Sequence, residues 1–285
     1  MPVRVYDDRS RELLFIRPPR RIVSLVPSDT LNVFALGAGD RLVGRTRYCV
    51  APEEAFAISV VGGTKDVDVD AVARLEPDLI LANQEENSRP HVERLAQLQL
   101  PVFVAFPRRV AEGLAHLARL ARILGMEEQS RELLRKGLAT LRAVENDPRP
   151  ALGAFVPIWM EPLMTIHEET FIHDALTLAG ARNVFADRER RYPLQADLGS
   201  AVPRPAGERD TRYPRVTLEE VVARSPEIVL LPDEPHPFSE ADARIFRERL
   251  PRARVAFCNG RDLSWYGAQS IAGLPRLRAL LDSLR

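Results

Sequence analysis

Two histidines in the second half of the chain are spaced so that they could bind a metal ion. His167 and His173 lie close together, and Glu168 and Glu169 stand between them. Imidazole and carboxylate groups are common ligands of divalent transition metals. The spacing matches no strict metal-binding signature, so solvated loop side chains are the competing interpretation. The other histidines are His91, His116 and His236.

The sequence contains none of the common catalytic motifs. It has no GxSxG, no HExxH, no P-loop and no GxGxxG placed after a strand. Two pairs of neighbouring carboxylates, Glu168-Glu169 and Asp233-Glu234, are typical of solvated loops. We therefore predict that the protein is not an enzyme, that it has no catalytic residues and that it uses no catalytic cofactor.

Two acidic side chains occupy equivalent positions in an internal repeat. VDVDAVARLEPDLIL begins at Val67 and VTLEEVVARSPEIVL begins at Val216, which places Asp70 opposite Glu219. Each segment begins with a capped helix and passes through a Pro-acid corner into an apolar strand. An acid in the first turn stabilises a helix by about 0.3–1 kcal/mol without any binding partner. The repeat predicts two similar α/β halves, with a ligand in the crevice between them.

Strands and helices alternate at short spacing on both sides of a long helical stretch. Apolar runs such as Arg21–Val26 and Pro101–Phe106 are typical of buried parallel strands. Residues 108–146 carry apolar side chains at helical spacing, and no strand interrupts them. The predicted domains are an N-terminal α/β lobe (1–107), a helical connector (108–149) and a C-terminal α/β lobe (150–285).

Composition excludes several classes of partner. Lys and Arg number 40, and so do Asp and Glu, so no net field favours nucleic acid. No apolar run approaches the roughly 20 residues of a membrane span. The first residues show no signal peptide, so we expect a cytoplasmic protein, or a periplasmic or cell-surface one if a leader was removed. Cys49 and Cys258 form no CxxC pair, and we expect two free thiols.

Five segments, in this order, resemble helical-backbone (class III) substrate-binding proteins: RIVSLVPS, VGRTRYC, GGTKDVDVDAVARLEPDLILA, DALTLAGARNVFAD and DLSWYG. These proteins are the ABC-importer receptors for cobalamin, haem, siderophores and metals, and the cobalamin-binding branch is the most similar. The resemblance extends from about Arg20 onward. It implies two Rossmann-like lobes with central parallel sheets, joined by a long backbone helix. It also implies that Asp70 and Glu219 dock onto a two-fold-related permease.

The resemblance further implies that a flat ligand lies between aromatic walls. Such walls suit a flat macrocycle, because rigid rings bury much of its apolar area at low entropic cost. The positions that match these walls are Thr64, Met164 and Tyr213. Since the first two are not aromatic, nearby rings could replace them: Tyr48, Trp159, Trp265 and Tyr266. Core packing is the competing interpretation for Trp159. Trp265 and Tyr266 are adjacent on one polar loop, and we expect that they cannot both point inward.

Together these features predict a monomeric substrate-binding protein for a corrinoid, or a related metal-bearing macrocycle, that serves ABC-type uptake. One alternative is a receptor for haem, an iron–siderophore or a free transition metal, the last held by His167 and His173. An imidazole could equally ligate a corrinoid cobalt or a haem iron. A second alternative is a cytosolic carrier or an enzyme component built on the same scaffold.

Overall fold

The computed structural model describes residues 2–285, which form two compact units. Unit 1 contains the described residues up to Pro107 together with Ala111–Ala139 and Tyr266–Ser270. Unit 2 contains Arg108–Val110, Thr140–Trp265 and Ile271–Arg285. The residues of the predicted connector are thus divided between the two units.

Unit 1 is built on a parallel sheet. Its strands are β1 (Val3–Tyr6), β2 (Glu12–Phe15), β3 (Ile22–Ser24), β4 (Leu42–Arg45), β5 (Leu79–Asn83) and β6 (Val102–Ala105). Its first three helices are α1 (Pro27–Ala35), α2 (Val69–Arg74) and α3 (Arg89–Gln97). The four parallel strands lie in the order β4-β3-β5-β6, while β1 and β2 form a separate antiparallel hairpin. Apolar side chains of this sheet, such as those of Ile80 and Val104, are buried and belong to the core of unit 1.

Two helices form the predicted connector, α4 (Val110–Leu124) and α5 (Glu127–Glu145). α4 ends just before Gly125 because this glycine adopts a left-handed φ of 65°. A Cβ at this position would lie 2.9 Å from Cγ of Pro18. α5 has its first residues, up to Ala139, in unit 1 and its remaining residues, from Thr140, in unit 2. No helix formed by residues 2–285 combines the length and the apolar character of a membrane span.

Unit 2 is built on a second parallel sheet. Its strands are β7 (Leu152–Phe155), β8 (Trp159–Met160), β9 (Leu163–Met164), β10 (Ala181–Asn183), β11 (Ile228–Pro232) and β12 (Arg254–Cys258). The remaining helices are α6 (Phe171–Ala179), α7 (Leu194–Asp197), α8 (Leu218–Arg224), α9 (Glu240–Arg249), α10 (Gly260–Ser264) and α11 (Ala268–Ser283). The parallel order is β10-β7-β11-β12, and Phe155, Phe185 and Phe246 form its core.

Both copies of the internal repeat fold as a short helix that leads into the third strand of a sheet. α2 precedes β5, and α8 precedes β11. Asp68 caps α2 by accepting a hydrogen bond from the Ala71 N–H at 2.8 Å. Thr217 caps α8 in the same way, with the Glu220 N–H at 3.2 Å. These two parallel-sheet units confirm the predicted α/β fold class.

The acid at each Pro-acid corner has the same structural task in both units. Oδ1 of Asp78 accepts a hydrogen bond from the Arg21 N–H at 2.7 Å, next to the start of β3. Oε2 of Glu227 accepts one from the Gly153 N–H in β7 at 2.6 Å. The corner acid therefore ties β5 to β3 in unit 1 and β11 to β7 in unit 2.

Candidate functional site

An exposed tryptophan marks one end of the parallel sheet in unit 2. Trp159 is 44% exposed, and its Nε1–H donates to the Glu161 carbonyl at 3.0 Å. Its ring centroid lies 5.2 Å from that of His236, which in turn lies 4.6 Å from that of the buried Phe238. The ring is thus held in place while much of its surface faces solvent. Core packing, the competing interpretation for Trp159, is wrong.

Another predicted ligand-binding residue, Met164, lies beside Trp159. Trp159 pairs with Met164 across the β8–β9 hairpin, and Met164 pairs with Arg215 in an isolated bridge. Residues opposite each other on neighbouring strands project from the same face, so these three side chains share a face. Tyr213, two residues before Arg215, is half-buried, and the Arg212 guanidinium carbon lies 5.6 Å from its ring centroid.

A buried ion pair orders the polar segment between the two RYP tripeptides. Asp197 and Arg188 are both buried, and Oδ1 of Asp197 accepts from Nη1 of Arg188 at 2.9 Å. The same carboxylate accepts from the backbone N–H groups of Arg191 and Arg215, at 2.9 and 2.7 Å. Nε of Arg188 also donates to Glu220 in α8 at 2.9 Å. This cluster fixes the backbone of Arg215 beside Met164.

In unit 1, two asparagines fix the loop that follows β5. Oδ1 of Asn87 accepts from the Asn83 N–H at 2.8 Å, and its Nδ2 donates to the carbonyls of Leu25 and Thr64 at 3.1 and 3.0 Å. Oδ1 of Asn83 accepts from the Glu85 N–H at 2.7 Å. Thr64 is buried and contributes its backbone to this cluster.

Tyr48 is the exposed ring of unit 1 among the predicted residues. Its side chain is 54% exposed, and the Arg47 guanidinium carbon lies 5.8 Å from its ring centroid. Arg47 also forms an exposed ion pair with Asp66 at 2.9 Å, and this hydrogen bond lowers the pKa of the Asp66 carboxyl. A solvent-facing aromatic surface is therefore present at Tyr48.

Trp265 and Tyr266 are both buried, at 6% and 4% exposure, so the prediction that one of them points outward is wrong. The chain passes from unit 2 to unit 1 between these two residues. The Tyr266 hydroxyl donates to Oδ2 of Asp29 at 2.9 Å. Desolvation and the neighbouring Asp29 carboxylate raise the pKa of Tyr266 well above its usual value.

The same carboxylate binds a histidine whose role the sequence did not reveal. Nε2 of His116 lies 2.8 Å from Oδ1 of Asp29, and both side chains are fully buried. The available signal was spacing: His116 precedes Leu120 by one helical turn and so falls on the apolar face of α4. Asp29, His116 and Tyr266 form a buried polar cluster inside unit 1.

His167 and His173, the candidate metal ligands, have local roles in the structure. Nδ1 of His167 accepts from the Glu169 N–H at 3.2 Å. Desolvation lowers the pKa of His173, and the charges of Glu168 and Asp174 oppose that shift. Over residues 2–285 there is no group of three or more His, Cys, Asp or Glu side chains arranged to hold a metal ion. The metal site stays a prediction.

The two repeat acids differ in their partners. Asp70 is exposed in the first turn of α2 and makes no ion pair with any residue that the structure describes. Glu219, in the first turn of α8, pairs with Arg249 at 2.8 Å, and this hydrogen bond lowers the pKa of Glu219. Both carboxylates are accessible at the surface of their own unit.

Solved structures with this architecture include periplasmic binding proteins. The periplasmic vitamin B12 binding protein BtuF of Vibrio cholerae superposes with a TM-score of 0.74 at 21% identity, over 94% of this chain and 98% of that one. A periplasmic heme binding protein from Pseudomonas aeruginosa gives 0.71 at 20% identity, over 92% of both chains. The likeness to these structures shows the fold.

Sequence comparison points to the same class. The vitamin B12-binding protein of Yersinia pestis is 29% identical over 214 residues, which are 74% of this chain and 69% of the relative. The sequence model of the periplasmic binding protein family matches residues 22–245. Because this match spans most of the chain, the protein belongs to the periplasmic binding protein family.

Proposed function

We propose that the protein is a substrate-binding receptor for a corrinoid. The observation that carries this proposal is the exposed Trp159 ring, packed on His236 and placed beside Met164. The relatives named as vitamin B12-binding proteins support the choice of ligand.

The geometry of unit 2 suits a flat, partly apolar ligand. The Trp159 ring is anchored at Nε1 and against His236, so little side-chain entropy remains to be lost when a ligand covers it. A large aromatic ring also buries much apolar area in one contact. In unit 1 the exposed Tyr48 ring offers a second surface of the same kind.

A ligand panel tests the proposal. Aquocobalamin, cobinamide, haem and a ferric siderophore are added separately to the protein, and binding heat, visible spectrum and melting temperature are followed. We expect both corrinoids to bind and to raise the melting temperature. A response to haem or the siderophore, with none to either corrinoid, would reject the corrinoid and identify the ligand class instead.

A matched pair of variants links binding to the surface of unit 2. Trp159→Ala should weaken corrinoid binding about tenfold or more, as loss of a central aromatic contact does. Phe257→Ala is the control, because Phe257 is also 44% exposed but lies on β12. Equal affinities of these two variants would remove Trp159 from the site.

We also propose that Asp70 and Glu219 dock the protein onto an ABC permease, in an exported form of the protein. Asp70 has no ion-pair partner among residues 2–285, whereas Glu219 would have to exchange Arg249 for a permease cation. Uptake of labelled cobalamin by cells carrying Asp70→Ala or Glu219→Ala should fall while the affinity of the purified variants stays unchanged. Unchanged uptake in the double variant would reject docking through these acids.

A further inference from the structure

Three arginines, Arg190, Arg209 and Arg215, lie in one segment, where the Asp197 carboxylate accepts hydrogen bonds from the backbone N–H groups of both Arg191 and Arg215. The guanidinium carbons of Arg190 and Arg209 lie 4.4 and 4.7 Å from the ring centroid of the buried Tyr192. Arg190 is also close enough to Arg215 for its charge to lower the Arg215 pKa, although desolvation of Arg215 is the larger cause. None of the three guanidinium groups forms an ion pair with any residue in the part of the chain that the structure describes.

Three acids in or beside this segment are already engaged. Asp197 accepts from Arg188 and from backbone N–H groups, Asp210 pairs with Arg212, and Asp187 pairs with Arg224. Glu189 is exposed and pairs with none of the three arginines. The Asp197 carboxylate also acts on Arg215, where it opposes the lowering of the pKa, but it already accepts from Arg188 and from two backbone N–H groups. Like charges held close together repel one another, so an added anion would stabilise this arrangement.

Through Arg215, the arginine cluster reaches the face of unit 2 that carries the exposed Trp159 ring. Arg215 pairs with Met164, and Met164 pairs with Trp159, so the Arg215 side chain lies on the same face as the Trp159 ring. Guanidinium groups bind phosphate and carboxylate oxygens through paired N–H donors. A ligand that covers Trp159 and extends across Met164 would bring an anionic group to Arg215.

We propose that Arg190, Arg209 and Arg215 form an oxyanion site, and that in a cobalamin ligand the bound group is the phosphodiester of the nucleotide loop. This assignment of the phosphodiester rests on the proposed corrinoid function, whereas the oxyanion site itself does not. Cobinamide lacks the phosphodiester, so the site would distinguish complete cobalamins from incomplete corrinoids.

The corrinoid arm of the test compares cobalamin with cobinamide by isothermal titration calorimetry. Arg190→Ala and, separately, Arg215→Lys should each lower the affinity for cobalamin about tenfold and leave cobinamide within about twofold, because only cobalamin supplies a charge for the guanidinium group. Arg252→Ala is the control: it removes one exposed arginine of unit 2 that lies outside the segment of the cluster. Equal losses for both corrinoids, or no loss for either, would overturn the phosphodiester assignment.

The second arm uses inorganic phosphate, with sodium chloride of equal ionic strength as the reference. Phosphate should raise the melting temperature of the wild type and of Arg252→Ala, and this rise should be absent in Arg190→Ala. Loss of the rise supports the oxyanion site even if no corrinoid binds, in which case only the proposed function fails. An equal rise in Arg190→Ala, or no rise in the wild type, would overturn the oxyanion site.

Discussion

The two units share a scaffold but differ in the side chains that it presents. In both, a short capped helix leads into the third strand of a parallel sheet. In both, the corner acid, Asp78 or Glu227, accepts a hydrogen bond from the backbone of the second strand or of the residue just before it. The repeated residues are therefore those that build the sheet.

The difference begins where the third strand ends. In unit 1, the amides of Asn83 and Asn87 close the following loop into a hydrogen-bonded cluster. In unit 2, β11 leads to His236, which packs on the exposed Trp159, and the arginine-rich segment after β10 has no counterpart in unit 1. A duplicated scaffold thus leaves each unit free to acquire its own recognition surface.

The largest effect on stability is expected in the segment found only in unit 2. Asp197→Ala removes the buried carboxylate partner of Arg188, which keeps the ion pair with Glu220, and it removes the acceptor of two backbone N–H groups. This loss should lower the free energy of unfolding by about 3–5 kcal/mol. Asp187→Ala, which removes an exposed partner of Arg224, should cost at most about 1 kcal/mol. Urea denaturation of both variants makes the comparison, and equal losses would show that the buried pair does not order the segment.

A smaller effect is expected for the buried cluster of unit 1. Tyr266→Phe removes the hydrogen bond to Asp29 and should lower the free energy of unfolding by about 1–3 kcal/mol. Tyr6→Phe is the matched control, since Tyr6 is exposed and its hydroxyl bonds to Glu12 at 2.9 Å. A Tyr266 variant as stable as this control would mean that the cluster contributes nothing.

The thiol of Cys258, in unit 2, should make the free energy of unfolding depend on pH. Desolvation, together with the carboxylates of Asp233 and Asp262, raises the pKa of Cys258 to about 12 from its ordinary value of 9.0. Above pH 9 the unfolded chain therefore loses this proton before the folded protein does, and the free energy of unfolding falls as pH rises towards 12. Cys258→Ala should show a shallower fall over this range. Parallel curves for wild type and variant would contradict the raised pKa.

The smallest effects should come from the repeat acids. Asp70→Ala and Glu219→Ala remove only helix-dipole interactions and, for Glu219, one exposed ion pair, so each should change the free energy of unfolding by less than about 1 kcal/mol. Thermal denaturation measures both changes. A larger loss in either variant would indicate a structural role that the exposed positions do not suggest.

The fold was largely predictable because it follows from local patterns. Apolar strand runs, the Pro-acid corners and the cap at Thr217 are all visible in the sequence, and the structure confirms the α/β class. Family membership confirms the predicted resemblance and, with it, a binding protein in place of an enzyme. The break at Gly125, which divides the connector into two helices, depends on a left-handed residue that a glycine permits but does not require.

The candidate site was less predictable because its residues meet through tertiary contacts. Nothing in the sequence around Trp159 indicates that His236 packs on its ring. Trp265 and Tyr266 are both buried, which their adjacency on one polar loop does not indicate. Asp197 lies in a polar segment without periodicity, so no sequence pattern predicts its burial beside Arg188.

The proposed corrinoid site at Trp159 can be tested by fluorescence, because the chain contains two tryptophans. Trp265→Phe leaves Trp159 as the only tryptophan, and its fluorescence is followed while aquocobalamin is added. Saturable quenching is predicted, because the ligand covers the exposed Trp159 ring. Fluorescence that shows no saturable change in this variant would contradict a corrinoid site at Trp159.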